Sequence, residues 1–241
     1  GLRLVCSLYW RSLTALVTSP AHLARVNSII PSGNPALQVR TTENAPEILD
    51  LSGLAGRRVS MREDLEPTPR TNAITIFNLN RFVADQWATA VRSPEPPPHE
   101  AMNLFLKGKI DGLFWVVEHP SLIIDSLIHA CAGAHLVAVT GMDERLAMVE
   151  SAQRTLIDVA YYENLSSPKL LPSVGIPIVV VATDQTPDAQ ISAFLNSISA
   201  ELAGLRRAVP VLGRLSVGGI APGRALPVHP AAARFFSRRA G

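Results

Sequence analysis

Apolar residues follow two patterns along this chain. Continuous apolar runs of strand length, bounded by polar or glycine-containing segments, predict buried strands. Runs of this kind occupy residues 2–10 (LRLVCSLYW), 110–117 (IDGLFWVV) and 176–182 (IPIVVVA). Segments with apolar residues at helical spacing predict amphipathic helices at residues 100–107, 121–132 and 187–203. Because predicted strands and helices alternate, the pattern predicts an α/β fold with mostly parallel sheets.

Shorter segments complete this prediction. Residues 14–18, 57–61 and 135–139 are rich in β-branched or apolar residues and are predicted to be strands, whereas residues 19–36 are predicted to be an irregular segment with one helical turn. Residues 229–238 are predicted to form a helix, with Pro230 tolerated in its first turn. The apolar face predicted for the helix at 121–132 consists of Leu122, Ile123, Leu127 and Ile128.

Composition narrows the class of protein. The 241 residues are 47% hydrophobic, enough for one large or two small domains with a sizeable core. Only 17% are charged, the net charge is +2, and the basic residues are scattered, which argues against a nucleic-acid partner. The most apolar window, residues 122–139, is interrupted by Asp125, His129 and His135 and predicts a helix followed by a strand. The two cysteines, Cys6 and Cys131, lie in separate apolar runs and are predicted to be buried free thiols.

The strand predicted at residues 110–117 ends in Glu118, His119 and Pro120. Open α/β sheets bind ligands at the carboxyl ends of their strands, so this stretch is a candidate site. The sequence gives little support for a catalytic or nucleotide-binding function, because the chain has no nucleophile elbow, zinc-protease motif or Walker loop. His119, His129 and His135 fall in three different predicted elements, which argues against a shared metal. The sequence therefore predicts a non-enzymatic protein without a cofactor.

A second candidate group is the set Thr68, Arg70 and Thr71, at the start of a predicted helix. The planar fork of Arg70 and the helix N-terminus suit a carboxylate; the alternative is an exposed loop arginine. Two residues of the central strand are also open to two interpretations. Trp115 either walls a ligand cleft or packs beneath a helix. Glu118 either binds an amine or a cation, or is solvated.

Five phrases of the chain resemble, in order, segments of one family. They are LRLVCSLYW, SGLAGRRVSM, IDGLFWVVEHP, PSVGIPIVVVATDQTPDAQISAFLNSI and ALPVHPAAARFF. The third is similar to the family segment I-D-A-x-F-x-V-x-G-x-P, and the last to I-P-L-H-P-G-A-x-R-Y-Y. The family is that of the TAXI-type solute-binding proteins of TRAP transporters.

This resemblance implies a two-lobed periplasmic-binding-protein fold of type II, with a ligand between the lobes. Lobe 1 would comprise residues 1–40 and 176–241, lobe 2 residues 41–175, with crossings at ALQVR (36–40) and GIPIVVV (175–181). It further implies a small organic anion as ligand, a carboxylate or an acidic amino acid, and membrane permease subunits as partners. The expected location is periplasmic or otherwise extracytoplasmic. Tyr9 matches the family tyrosine near the cleft; the alternative is a tyrosine at the core edge.

The chain also departs from the family pattern. The βαβ unit that precedes the first matching strand in the family is not in this chain, so the first lobe is expected to be incomplete. The family's G-x-x-G-S-G-T loop is replaced by REDLEPTPRT, and Glu118 stands where the family has glycine. Backbone N–H groups close on a carboxylate most easily at glycines. These departures favour an alternative function: a degenerate family member acting as a sensor or interaction domain, with tethering to a membrane through other segments left open.

Overall fold

The computed structural model describes residues 1–29, 47–54, 57–61, 98–140, 152–163, 165, 169–222 and 226–239. The chain divides into two compact units. The first contains Gly1–Arg11, Glu150–Gln153 and Ile176–Gly241, and the second contains Ser12–Val149 and Arg154–Gly175. The predicted lobes, residues 1–40 plus 176–241 and residues 41–175, stay a prediction. The predicted crossing at 36–40 lies outside the described residues.

The described strands form one six-stranded sheet. They are β1 (Leu2–Val17), β2 (Val59–Met61), β3 (Gly112–Glu118), β4 (His135–Val137), β5 (Gln153–Asp158) and β6 (Leu170–Thr183). The sheet order is β2-β3-β1-β6-β5, and β4 also pairs with β1. β2 and β3 are parallel, whereas β1 and β4 are antiparallel, with Ala15 opposite Val137. The α/β class is therefore observed, but the sheet is mixed and the prediction of mostly parallel sheets is wrong.

The mixed sheet follows from the length of β1. Two separate strands were predicted at residues 2–10 and 14–18, but Arg11, Ser12 and Leu13 between them include no proline or glycine. The chain therefore continues as one 16-residue strand. Its last residues extend far enough to pair with β4, which runs in the opposite direction. Antiparallel pairing of β1 with β4 does not require the crossover connection that two parallel strands need.

The described helices are α1 (Pro20–Ile29), α2 (Pro98–Leu106), α3 (Leu122–Ala130), α4 (Asp188–Ala200), α5 (Leu202–Ala208) and α6 (Pro230–Ser237). Helix α1 contradicts the prediction of an irregular segment at its position. Its start is explained by Ser19, whose Oγ accepts a hydrogen bond from the backbone N–H of His22 at 3.1 Å. Pro20 has no N–H to lose at the first helical position.

The buried face of helix α3 matches the predicted one in part: Leu127 and Ile128 are buried, whereas Leu122 and Ile123 are not. Ile124, Leu127 and Ile128 are buried, at the i, i+3, i+4 spacing of a helical stripe. Leu122 is 85% exposed and Ile123 48% exposed. The apolar face therefore begins two residues later than predicted, and the first turn of α3 presents two aliphatic side chains to solvent.

Each unit has its own hydrophobic core. In the second unit, α2, β3 and α3 pack around a cluster that includes Leu16, Phe105, Trp115 and Leu127. In the first unit, α4 and α6 pack over β1 with a cluster that includes Leu195, Ile220 and Phe235. His229 caps α6, because its Nδ1 accepts a hydrogen bond from Ala231 N–H at 3.2 Å.

Asp111 lies just before the start of β3, and its side chain binds Arg58, which lies just before the start of β2. Its buried carboxylate accepts hydrogen bonds from Arg58 through the backbone N–H at 2.9 Å, Nε at 3.1 Å and Nη2 at 3.2 Å. The Asp111 N–H donates back to the Arg58 carbonyl at 2.6 Å, and its own carbonyl accepts from Thr18 N–H at 2.9 Å. Asp111 therefore has a structural role at the start of β3.

Gly133 is a position at which we expect a substitution to be costly. Its φ is +73°, and a Cβ added there would lie 2.8 Å from Oγ of Ser19, which also donates to the Ala132 carbonyl. We expect Gly133→Ala to lower the free energy of unfolding by about 2 kcal/mol, from backbone strain and a displaced helix cap. Gly218→Ala, which meets nothing within 4 Å, is the matched control. Urea unfolding of both variants measures the difference, and equal small losses would contradict this account.

Candidate functional site

The candidate site is the connection between β3 and α3, in the second unit. Glu118 is the last residue of β3; His119, Pro120 and Ser121 follow, and α3 begins at Leu122. The His119–Pro120 peptide bond is cis. Because β2 lies parallel to β3, this connection leaves the carboxyl end of a parallel pair, where α/β sheets place their binding groups.

His119 connects this loop to two distant parts of the second unit. Its Nε2 lies 2.8 Å from Oγ1 of Thr14 on β1. Its Nδ1 lies 2.5 Å from the hydroxyl of Tyr162, whose ring stands edge-on to the imidazole with centroids 5.8 Å apart. The Tyr162 hydroxyl oxygen also accepts from the backbone N–H of Ser121 at 2.9 Å. One imidazole and one phenol therefore hold the loop against β1 and the segment after β5.

These contacts define the direction of each hydrogen bond when His119 is neutral. We assign the tautomer from Thr14: its hydroxyl lies 3.1 Å from the carbonyl of Ser12, and with its one proton donated there Oγ1 accepts from Nε2–H of His119. In a neutral imidazole the other nitrogen, Nδ1, is then an acceptor, and Tyr162 donates to it. The chain of donors runs from Ser121 through Tyr162 and His119 to Thr14 and Ser12.

Burial keeps both rings uncharged at neutral pH. It lowers the pKa of His119 from 6.5 to about 4. Burial also raises the pKa of Tyr162; the negative charges of Asp125 and Glu118 add to this rise, and the hydrogen bond from Ser121 opposes it. The site therefore combines a neutral polar pair with two nearby carboxylates.

The profile of the NMT1-like family matches residues 20–238, nearly the whole chain. The chain belongs to the NMT1-like family. NMT1-like proteins are solute-binding proteins, related to the TAXI proteins and to the nitrate-, sulfonate- and bicarbonate-binding proteins. The mixed α/β sheet is consistent with such a fold. A search of the curated proteins found no match.

The predicted site residues of this NMT1-like protein fall into three groups. Thr68, Arg70 and Thr71 lie outside the described residues. Trp115 and Glu118 share β3, whereas Tyr9 is half-buried on β1 within the first unit. Their membership of a binding site stays a prediction.

Trp115 lies in the core of the second unit. It is 5% exposed and packs in the same cluster as Ile124 and Leu127 of α3. Of the two interpretations of Trp115, packing beneath a helix is the one observed. Its indole N–H is buried and has no hydrogen-bond partner within the described part of the chain.

His129 and His135, the two other histidines considered for a metal site, contact separate backbone groups. Nδ1 of His129 faces the Asp125 carbonyl at 2.9 Å. His135 faces the carbonyls of Gly133 and Ile48. Within the described ranges, no three His, Cys, Asp or Glu side chains converge as a metal-binding group. The same ranges include no helix that is both long and apolar enough to span a membrane.

Sequence reasoning did not single out Tyr162 or Thr14. Tyr162 fell at the start of a segment predicted to be a loop, and Thr14 in a short β-prone run. They lie 43 and 105 residues from His119 in sequence. The one local indication was the Glu-His-Pro stretch at a strand end, which marked the position of the site but not its partners.

Proposed function

We propose that this NMT1-like protein is an extracytoplasmic solute-binding protein that captures a small organic anion for a TRAP-type permease. The observation that supports the proposal is the family match over residues 20–238. The five phrases that resemble TAXI proteins make that branch the best candidate within the wider group. In this proposal the protein acts by binding alone, without chemical conversion of the solute.

Charge at the candidate site narrows the proposed ligand to an acidic amino acid. Glu118 and Asp125 both lie near Tyr162, where they favour an ammonium group. Arg70, with Thr68 and Thr71, supplies the residue types that bind a carboxylate through paired N–H donors. An acidic amino acid carries an ammonium group as well as carboxylates, so it matches both sets of residue types.

A thermal-shift screen of the whole chain tests this proposal. At a ligand concentration of 100 times Kd, binding to the folded state adds about 2.7 kcal/mol, which raises Tm by roughly 5–10 °C for a chain of this size. We expect glutamate or aspartate to produce such a shift, and succinate or malate a smaller one. The absence of a shift with every acidic amino acid and dicarboxylate at millimolar concentration would overturn the proposal.

Two substitutions then test the contributions of Glu118 and Arg70 to binding separately. We expect Glu118→Gln to weaken amino-acid binding selectively. Arg70→Gln would weaken both ligand classes, each roughly thirtyfold, as for one lost charge-assisted hydrogen bond. Glu100→Gln on α2 and Arg25→Gln on α1, both at exposed positions, are the matched controls. Calorimetric titration measures the affinities, and equal effects of site and control variants would exclude these residues from the site.

A second function is favoured by one observation. Glu118 is an acid at the position where TAXI proteins carry glycine, and the neighbouring His119–Tyr162 pair is already saturated with internal hydrogen bonds. Such a site suits a family member that has lost solute capture and serves as a sensor or interaction domain. A well-folded protein whose Tm does not change with any ligand of the screen would support this second function.

A further inference from the structure

The hydrogen-bond chain through His119 has a single direction, and one added proton would reverse part of it. Nε2 already carries a proton that Thr14 accepts, so Nδ1 is the only nitrogen that can take another. Nδ1 currently accepts from the Tyr162 hydroxyl. We propose that His119 and Tyr162 form an acid-sensitive latch, in which protonation of Nδ1 breaks the bond from Tyr162 and releases Ser121 and the first turn of α3.

The short distance between Nδ1 of His119 and the Tyr162 hydroxyl leaves room for only one proton between them. With Nδ1 protonated, an N–H and an O–H would both point along a line only 2.5 Å long. The Tyr162 proton would have to leave that line for another acceptor. Among the described residues, the Tyr162 hydroxyl contacts only His119 and Ser121, so the displaced proton would be buried without a partner. A buried unpaired hydroxyl and a buried imidazolium are both unfavourable, and the loop can relieve both by moving outward.

The charged groups nearest the latch lie on β3 and α3. Thr14 on β1 is uncharged and Tyr162 is neutral, whereas Glu118 on β3 and Asp125 on α3 carry the nearby negative charges. Because burial lowers the pKa of His119 to about 4, the latch is closed at neutral pH and opens in acid. This behaviour requires no ligand and is independent of the proposed function.

Nuclear magnetic resonance on the whole unliganded chain tests the latch directly. Imidazole nitrogen shifts report the tautomer of His119, and we expect proton on Nε2 and none on Nδ1 at pH 7. Exchange of the Ser121 amide, corrected for its intrinsic pH dependence, should accelerate about tenfold as His119 titrates, the equivalent of one lost buried hydrogen bond. A proton on Nδ1 at pH 7, or Ser121 exchange that does not follow His119, would overturn the proposal. Global unfolding before His119 titrates would overturn it as well.

Variants extend the test without relying on one substitution. Tyr162→Phe removes the acceptor of the Ser121 N–H, so the corrected exchange should be fast at every pH. Tyr161→Phe, at the neighbouring tyrosine that is 43% exposed, should behave like the unmodified protein. His119→Gln should remove the acid response of Ser121, whereas His129→Gln should retain it. An acid response that persists in His119→Gln would contradict the latch.

Discussion

Acidification from pH 6.5 to pH 4 is expected to lower the free energy of unfolding by about 3 kcal/mol through His119 alone. The unfolded chain takes up a proton on this histidine near its ordinary pKa of 6.5, whereas the folded protein resists until about 4. Between these values the unfolded state binds more protons, so stability falls as the pH falls. The contribution is complete above 6.5, and below 4 no further loss comes from this group.

Urea unfolding at pH 7, 5.5 and 4 measures this loss, with His119→Gln as the variant that removes the titrating ring. His22 contributes in the same direction, because burial lowers its pKa as well. We therefore expect His119→Gln to reduce the pH dependence strongly without abolishing it. His129→Gln at an exposed position is the control. If both variants retain the full pH dependence of the unmodified protein, burial of His119 does not shift its titration as described.

Loss of the Asp111 carboxylate is expected to destabilise the second unit by about 3 kcal/mol. Asp111→Ala leaves the backbone N–H and the guanidinium of Arg58 without the acceptor that now serves both. The Asp111 side chain is 7% exposed, so water replaces it poorly, and the starts of β2 and β3 lose this polar contact.

Asp188→Ala provides the comparison for this substitution. Asp188 also pairs with an arginine, Arg234, but both side chains are more than half exposed. Exposed pairs of this kind contribute about 1 kcal/mol or less. The free energies of unfolding from urea titration should therefore separate the two variants clearly. Equal losses would mean that the buried position of Asp111 adds nothing to its role.

Sequence patterns predicted the elements whose formation is local. Helices α2 and α4 and strand β3 were located within about two residues, because apolar spacing and flanking proline or glycine define them. Helix α1 was missed because its capping serine and first-turn proline are preceded and followed by residues that also suit a loop. Strand β5 was missed because its sequence, QRTLID, alternates weakly and its place depends on pairing with β6.

The candidate site was predictable only in its position. A Glu-His-Pro stretch after a buried strand marks the carboxyl end of the sheet from local sequence alone. The partners of His119 come from β1 and from the segment after β5, and long-range packing brings them together. Trp115 shows the same limit, since strand alternation separated it from Phe114 and Val116 but could not tell a core from a cleft.

The two cysteines have a practical consequence for experiments on this protein. Both are buried, and burial raises the pKa of Cys6 to about 11 and that of Cys131 to about 12. At neutral pH roughly one thiol in ten thousand or fewer is a reactive thiolate. A fluorophore or spin label can therefore be attached at a cysteine introduced on the surface while both native residues are retained. The native thiols then become reporters of opening, because they react only when the chain around them comes apart.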